Sequence, residues 1–158
     1  MGLFKSGESE QVKFNDGRPD REGYTEILLK EAVDGEKYTG TPYLTQIYEN
    51  EGEDGKYYKA NLFINNDTKK ESFKVPINLK TGGNSISVFK GSGMFDIIDS
   101  LERLHDPSLG ECNKWTVDYD ELQDYINGLN TVIVEVVEHP PIKEGADYYN
   151  TIRFIKVS

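Results

Sequence analysis

The sequence predicts a mainly β domain: a small five-stranded barrel with a helical insert between the third and fourth core strands. Three observations carry that prediction. Residues 24–89 break into short extended segments separated by turn signals rich in glycine, asparagine and aspartate. Residues 93–128 then switch to apolar spacing of helical period. From Thr131 onward, two runs rich in β-branched and aromatic residues close the chain.

Taken in order, residues 1–22 are polar and contain the turn sequences Asn15-Asp16-Gly17 and Arg18-Pro19-Asp20, which predict a flexible N-terminal arm ahead of a single domain at 23–158. Tyr24 to Val33 predicts a strand, or else a short helix, ended by Asp34-Gly35. Thr41 to Glu49 predicts a second strand, with Pro42 at its start where a missing amide is tolerated. The acidic stretch Asn50 to Gly55 returns the chain as a hairpin into a strand from Tyr57 to Asn65. Asn65-Asn66-Asp67 turns it again into Ser72 to Ile77, where Phe73, Val75 and Ile77 share a face and Pro76 predicts an edge or a bulge. Ile86, Val88 and Phe89 suggest one more short extended piece.

Met94, Ile97, Ile98, Leu101 and Leu104 recur at helical spacing, with Ser92 or a neighbour able to cap the start and Asp106-Pro107 to stop it. A second helix runs from about Tyr119 to Asn127, with Asp118 and Glu121 at capping-box spacing and Gly128 at its end. Residues 95–125 hold nine acids against Arg103 and Lys114, so the insert (about 93–128) reads as a solvated outer layer. Thr131 to Glu138 reads as a strand buried on both faces, and Tyr148 to Val157 as its partner, with His139-Pro140-Pro141 in the loop between. This element order fits the OB-fold, with its helix between the third and fourth strands. An α+β sandwich of similar content is the alternative.

Length and composition bound the function. A chain of 158 residues supports one domain with a substantial core. No apolar run reaches membrane-spanning length, no segment resembles a signal peptide, and Cys112 is the single cysteine, so a reducing cytoplasm and no membrane partner are expected. The Met1-Gly2 and Ser6 spacing matches an acylation pattern but lacks the basic cluster needed as a second membrane signal.

The net charge of −10 argues at first against a nucleic-acid partner, yet the charge is segregated. Lys56 to Lys90 holds seven lysines against Asp67 and Glu71, a local +5, so the rest of the chain sums to −15. A locally basic cleft can attract a polyanion that the remaining surface repels, and seven lysines on phosphates predict steep salt dependence. Within this window the Tyr57–Asn65 strand has two faces. Tyr58, Ala60, Leu62 and Ile64 form one, suited to a core; Tyr57, Lys59, Asn61 and Phe63 form the other. Aromatic planes alternating with a cation suit a single-stranded nucleic acid, whose bases stack while lysines follow the phosphates. The plain structural reading is that aromatics are good strand residues and lysines keep a half-exposed sheet soluble.

Catalytic signals are thin, and the chain is expected to be non-enzymatic and without a cofactor. His105, His139 and Cys112 have no metal-ligand spacing. Gly91-Ser92-Gly93 lacks nucleophile-elbow spacing, and in Lys80-Thr81-Gly82-Gly83 the lysine precedes the glycines, unlike a phosphate-binding loop. Asp118, Asp120, Glu121 and Asp124 lack the glycine and spacing of a calcium loop. Trp115 stands outside the basic window, which favours packing over base stacking.

The segments GYTEILLKEAVDGE, YYKANLFINN, FKGSGMFDIIDSL and GLNTVIVEVVEHPPIKEGADYYNTIRFIKV resemble, in their order, the elements of phage-encoded single-stranded DNA-binding proteins of the OB-fold type. The resemblance spans roughly residues 23–158. It implies a replication or recombination accessory that coats single-stranded DNA without sequence preference in the host cytoplasm. It further implies that Tyr57, Lys59 and Phe63 lie on the base-contacting face, with Tyr43, Tyr48 and Lys74 flanking it; the turn lysines Lys69 and Lys70 complete the candidate set. Replication or recombination proteins are then the expected partners, and homo-oligomer formation is left open. The competing function is a protein-interaction or virion-assembly module that binds no nucleic acid, because tyrosine-rich surfaces also suit protein interfaces. DNA binding requires the lysines of Lys56 to Lys90 to converge on one concave surface beside Tyr57 and Phe63, whereas protein interaction lets them scatter.

Overall fold

The computed structural model describes residues 3–4, 22–53, 55–141 and 143–158. Strands hold 47% of these residues and helices 18%, so the fold is mainly β. In chain order the elements are β1 (Thr25–Leu28), β2 (Lys37–Leu44), β3 (Tyr48–Gly52), β4 (Gly55–Asn66), β5 (Glu71–Leu79), β6 (Ser85–Phe89), α1 (Gly93–His105), β7 (Lys114–Asp118), α2 (Tyr119–Asn127), β8 (Val132–His139) and β9 (Tyr149–Val157). One sheet runs β1-β5-β4-β2-β8-β9, with β3 attached to β4 as a hairpin; β6 and β7 form a separate ribbon. Every pairing is antiparallel except that of β1 with β5.

The sheet curls into a half-barrel, and β2 shows why. Its first half, Lys37–Gly40, pairs with β8, and its second half, Thr41–Leu44, pairs with β4. The strand changes partner at Gly40, where an added Cβ would stand 2.3 Å from the carbonyl oxygen of Asn65. Only glycine permits that approach. At the far edges, β9 on one side and β1 with the uncovered end of β5 on the other share no ladder. A 3-10 turn at Leu29–Glu31 spans the gap, held to β9 by the Asn150 amide, which donates to the carbonyls of Leu29 (3.0 Å) and Ala32 (2.9 Å).

Helix α1 packs along β9 and against β5. Met94, Phe95, Ile97, Ile98 and Leu101 sink into the core with Leu62, Ile64, Phe73, Val75, Val134 and Phe154. Each buried side chain of this size contributes about 1.5–3 kcal/mol. Ser92 caps the helix by accepting from the Phe95 N–H at 3.1 Å, and Asp118 caps α2 by accepting from the Glu121 N–H at 3.1 Å. Helix α2 grips the end of β2: Asn127 donates to the Leu44 carbonyl (3.0 Å) and accepts from its N–H (2.7 Å), Gln123 donates to the same carbonyl, and the Tyr119 hydroxyl donates to the Thr45 carbonyl at 2.6 Å. Burial pushes the Tyr119 hydroxyl's pKa well up, so it remains a donor.

Several expectations are corrected. The insert is no outer layer, because α1 fills the half-barrel, and β7, unforeseen, lies between its helices. The Tyr24–Val33 strand stops at Leu28, and Thr41–Glu49 divides into the end of β2, which stays paired with β4 through Leu44, and the start of β3 at Tyr48. Strand β8 buries Val132, Val134 and Val136 while Ile133, Glu135 and Val137 are only half-buried, so it is covered on one face. Leu104 is exposed. Pro76 does lie at an edge, past the point where β1 leaves β5.

Leu3 and Phe4 fall inside the stretch expected to be a flexible arm, yet Phe4 is fully buried, its carbonyl accepts from the Asp118 N–H (2.7 Å), and the Leu3 N–H donates to Glu102. The turns expected at residues 15–20 and the Gly2 acylation pattern with Ser6 lie outside the described residues.

Candidate nucleic-acid interface

Strand alternation gives β4 a face turned away from the core, and cross-strand register decides what joins it. Tyr48 of β3 stands opposite Lys59, which stands opposite Asn78 of β5. Further along, Tyr43 of β2 stands opposite Phe63, which stands opposite Lys74. Between these rows Asn61 faces Pro76. Six of the eight predicted residues (Tyr43, Tyr48, Tyr57, Lys59, Phe63 and Lys74) therefore share one sheet face.

Their accessibility differs. Tyr48 and Tyr57 are exposed at 38% and 40%. Lys59 adjoins both, across the ladder from Tyr48 and along β4 from Tyr57, with its ammonium 5.5 Å from the Tyr57 ring centroid, a cation–π distance. Asn61 donates to the Tyr48 hydroxyl at 3.0 Å, which fixes where that ring stands. Phe63 is a correction: it is 3% exposed, set in a row between Tyr43 and Lys74, and offers no free ring face to a base. Tyr43 and Lys74 are half-buried.

Lys69 and Lys70 do not join this face. They occupy the exposed β4–β5 turn, about 23 Å along the strand from Lys59 at the usual rise per residue. Lys70, at φ +54°, places its ammonium 5.1 Å from the Tyr24 ring, and Tyr24 donates to Asp67 in the same turn. Lys56 points to the other face and pairs with Glu49 at 3.5 Å. Lys90 pairs with Glu111 at 3.9 Å, and Lys80 and Lys90 both line a hollow of about 240 Å³ between β5 and β6, which Asn78 at the end of the face also lines. Of the window's seven lysines, Lys59 and Lys74 share this face and the other five do not, so the convergence expected for DNA binding is not found.

Two further placements differ from expectation. His139 ends β8 instead of lying in a loop: its Nε2 is 2.8 Å from Asp96 Oδ2 and 2.9 Å from the Thr151 hydroxyl, and its ring stacks on Tyr149. The bonds tie the end of β8 to the first turn of α1, a separation of 43 residues that local sequence reading does not span. Trp115 is half-buried against the core and donates to Asp99 at 2.9 Å, so it packs as expected.

Beyond β5 the face runs into a cleft of about 510 Å³, which Lys74 and Pro76 share with Lys30 and Tyr148. Sequence reading singled out neither Lys30 nor Tyr148; the available signal was the Tyr148-Tyr149 pair at the start of the last strand. Among the described residues, no helix is long and apolar enough to cross a membrane, and no group of three or more His, Cys, Asp or Glu is placed to hold a metal ion. No family model, no curated protein sequence and no solved structure matches this chain, so the reading of the site rests on its own residues.

Proposed function

We propose that the chain binds single-stranded DNA without sequence preference across the outer face of the half-barrel, in phage DNA replication or recombination. The observation that carries this reading is the pair of exposed tyrosines on one sheet face, Tyr48 directly across from Lys59 and Tyr57 next to it along β4. Every base has a π-face, so two accessible rings accept any sequence, while the ammonium beside them meets the backbone phosphate. We also read the half-barrel as an OB-fold. In chain order, β2, β4, β5, β8 and β9 supply five core strands, and α1 falls between the third and fourth, which supports that reading. The replication or recombination role rests on the resemblance in element order.

A second reading, a protein-interaction or virion-assembly module, is favoured by the dispersal of Lys56, Lys69, Lys70, Lys80 and Lys90 away from the aromatic face. Fluorescence anisotropy with a labelled, unstructured oligonucleotide at low and high salt separates the two. Wild type is expected to bind, and Tyr57→Ala/Lys59→Ala to lose about 1–3 kcal/mol for the stacked base. Absence of wild-type binding at low salt refutes the DNA reading and directs the search to protein partners.

A further inference from the structure

The 510 Å³ cleft opens where β5 and β9 leave the half-barrel unclosed. Its volume lies within the range of about 300–1,000 Å³ usual for small-ligand sites. We infer that it takes one unstacked nucleotide, the base against Tyr148 and the phosphate at Lys30 and Lys74; this rests on the reading that the sheet face carries a single strand.

Three features lead there. The first is continuity. Lys74 and Pro76 belong to the outer face, opposite Phe63 and Asn61, and also line the cleft. A strand leaving the Tyr48–Lys59–Asn78 row crosses Pro76 and arrives at the cleft on the same side of the sheet.

The second is chemistry. Tyr148 is 64% exposed, more than either tyrosine of the face, so its ring is open to a base. Lys30 is exposed and Lys74 half-buried, both line the cleft, and neither takes part in an ion pair among the described residues, unlike Lys56 and Lys90. Among the described residues, Glu138 is the one carboxylate lining the cleft. It suits the exocyclic amino groups of adenine, cytosine or guanine, which need acceptors.

The third is preorganisation. Tyr149 is fixed, stacked on His139 at 5.0 Å between centroids and donating to the Gly91 carbonyl at 2.7 Å. Asn150 ties Leu29 and Ala32, which line the cleft, to β9, and the Glu138 N–H donates to Asp34 at 2.8 Å. Walls held this way lose little freedom when a ligand arrives, which favours affinity.

The test pairs Lys30→Ala/Tyr148→Ala with Tyr57→Ala/Lys59→Ala. Both residues of the first pair are exposed, so a thermal melt matching wild type is expected and confirms folding. Anisotropy uses a labelled oligonucleotide of about 15 nucleotides, near the upper limit of a single site of this type. Backbone amide NMR shifts are followed with the same oligonucleotide and with free dAMP. The cleft variant is expected to bind the oligonucleotide about tenfold more weakly, the scale of one lost stack. In wild type, the amides of residues 29–32 and 148–150 are expected to shift. If the cleft variant binds like wild type while the face variant is weakened, the cleft inference is overturned and the face reading stands. If no oligonucleotide binds but dAMP shifts the cleft amides, the strand reading fails and the cleft stands as a free-nucleotide site. If neither ligand has an effect, both are overturned.

Discussion

Gly40→Ala tests the physical account of how the sheet curls. The added methyl would stand 2.3 Å from the Asn65 oxygen, 2.6 Å from its carbonyl carbon and 3.1 Å from the Asn66 nitrogen. All three are main-chain atoms, so no flexible side chain can swing away. The neighbours must separate by roughly 1 Å to restore van der Waals contact. That movement falls on the Thr41–Asn65 pair, the first rung of the β2–β4 ladder. Overpacking of this kind costs about 1–3 kcal/mol, and each weakened ladder hydrogen bond adds about 1 kcal/mol. With one or two bonds affected, the loss is about 2–5 kcal/mol, a large fraction of a typical domain's stability. Gly110→Ala is the control: nothing lies within 4 Å of its added Cβ. It should be neutral, or stabilise by up to about 1 kcal/mol through the unfolded chain. Urea unfolding followed by tryptophan fluorescence and circular dichroism measures both. A Gly40→Ala loss below about 1 kcal/mol would refute the idea that close approach at this residue sets the curl.

Other residues give sharper local tests. Asn127→Ala leaves the Leu44 N–H without its partner and removes one of two side-chain donors to the Leu44 carbonyl; a loss of about 2–3 kcal/mol in denaturant unfolding is expected, and a change under about 0.5 kcal/mol would show that the α2 clasp is dispensable. Phe63→Ala should cost about 3–5 kcal/mol of stability as a buried aromatic. Oligonucleotide affinity measured on the fraction that stays folded should be near wild type, and a tenfold loss there would return Phe63 to the binding face. For Glu102, burial raises the carboxyl above its ordinary value of 4.5, with the Leu3 N–H pulling the other way. The folded chain therefore takes up this proton before the unfolded chain does. Its contribution favours the fold below the ordinary value and is lost as pH rises through the raised one. Glu102→Gln removes that dependence, so the variant should gain on wild type from pH 4.5 towards neutrality in unfolding midpoints. A constant difference across that range contradicts the assignment.

What could be read in advance follows from the range of the interactions. Helix caps act over three residues, so Ser92 and Asp118 were legible, as was Asp106-Pro107 as a stop. Alternation along β4 placed Ala60, Leu62 and Ile64 on the core side, because that pattern is local too. It could not tell how covered the second face is. Phe63 is buried although its strand pattern assigns it to the face away from the core, and its row neighbours Tyr43 and Lys74 come from two other strands. The same limit hid Phe4, which reaches the core from a polar stretch, and the His139–Asp96 bond across 43 residues. Strand β7 was missed because Lys114–Asp118 lies among acids that read as solvent-facing, while only Val117 within it is buried.

Charge placement changes what salt should do. Seven lysines in one window predicted steep salt dependence, a log–log slope near about −5 if each met a phosphate of a single strand. Only Lys59 and Lys74 share the outer face, and Lys30 joins Lys74 in the cleft. Two contacts give a slope of about −1.4, and three give about −2. The remaining surface is strongly acidic, and its repulsion reaches only about 10 Å at 0.1 M ionic strength, so added salt also relieves it and flattens the slope further. The face should thus hold DNA mainly through its tyrosines, and affinity should survive moderate salt better than for a basic groove. Titrating sodium chloride against oligonucleotide affinity decides the matter. A slope near about −5 would mean that Lys69, Lys70 and their neighbours also meet phosphates, and the strand's path would then have to run along the β4–β5 turn instead of into the cleft.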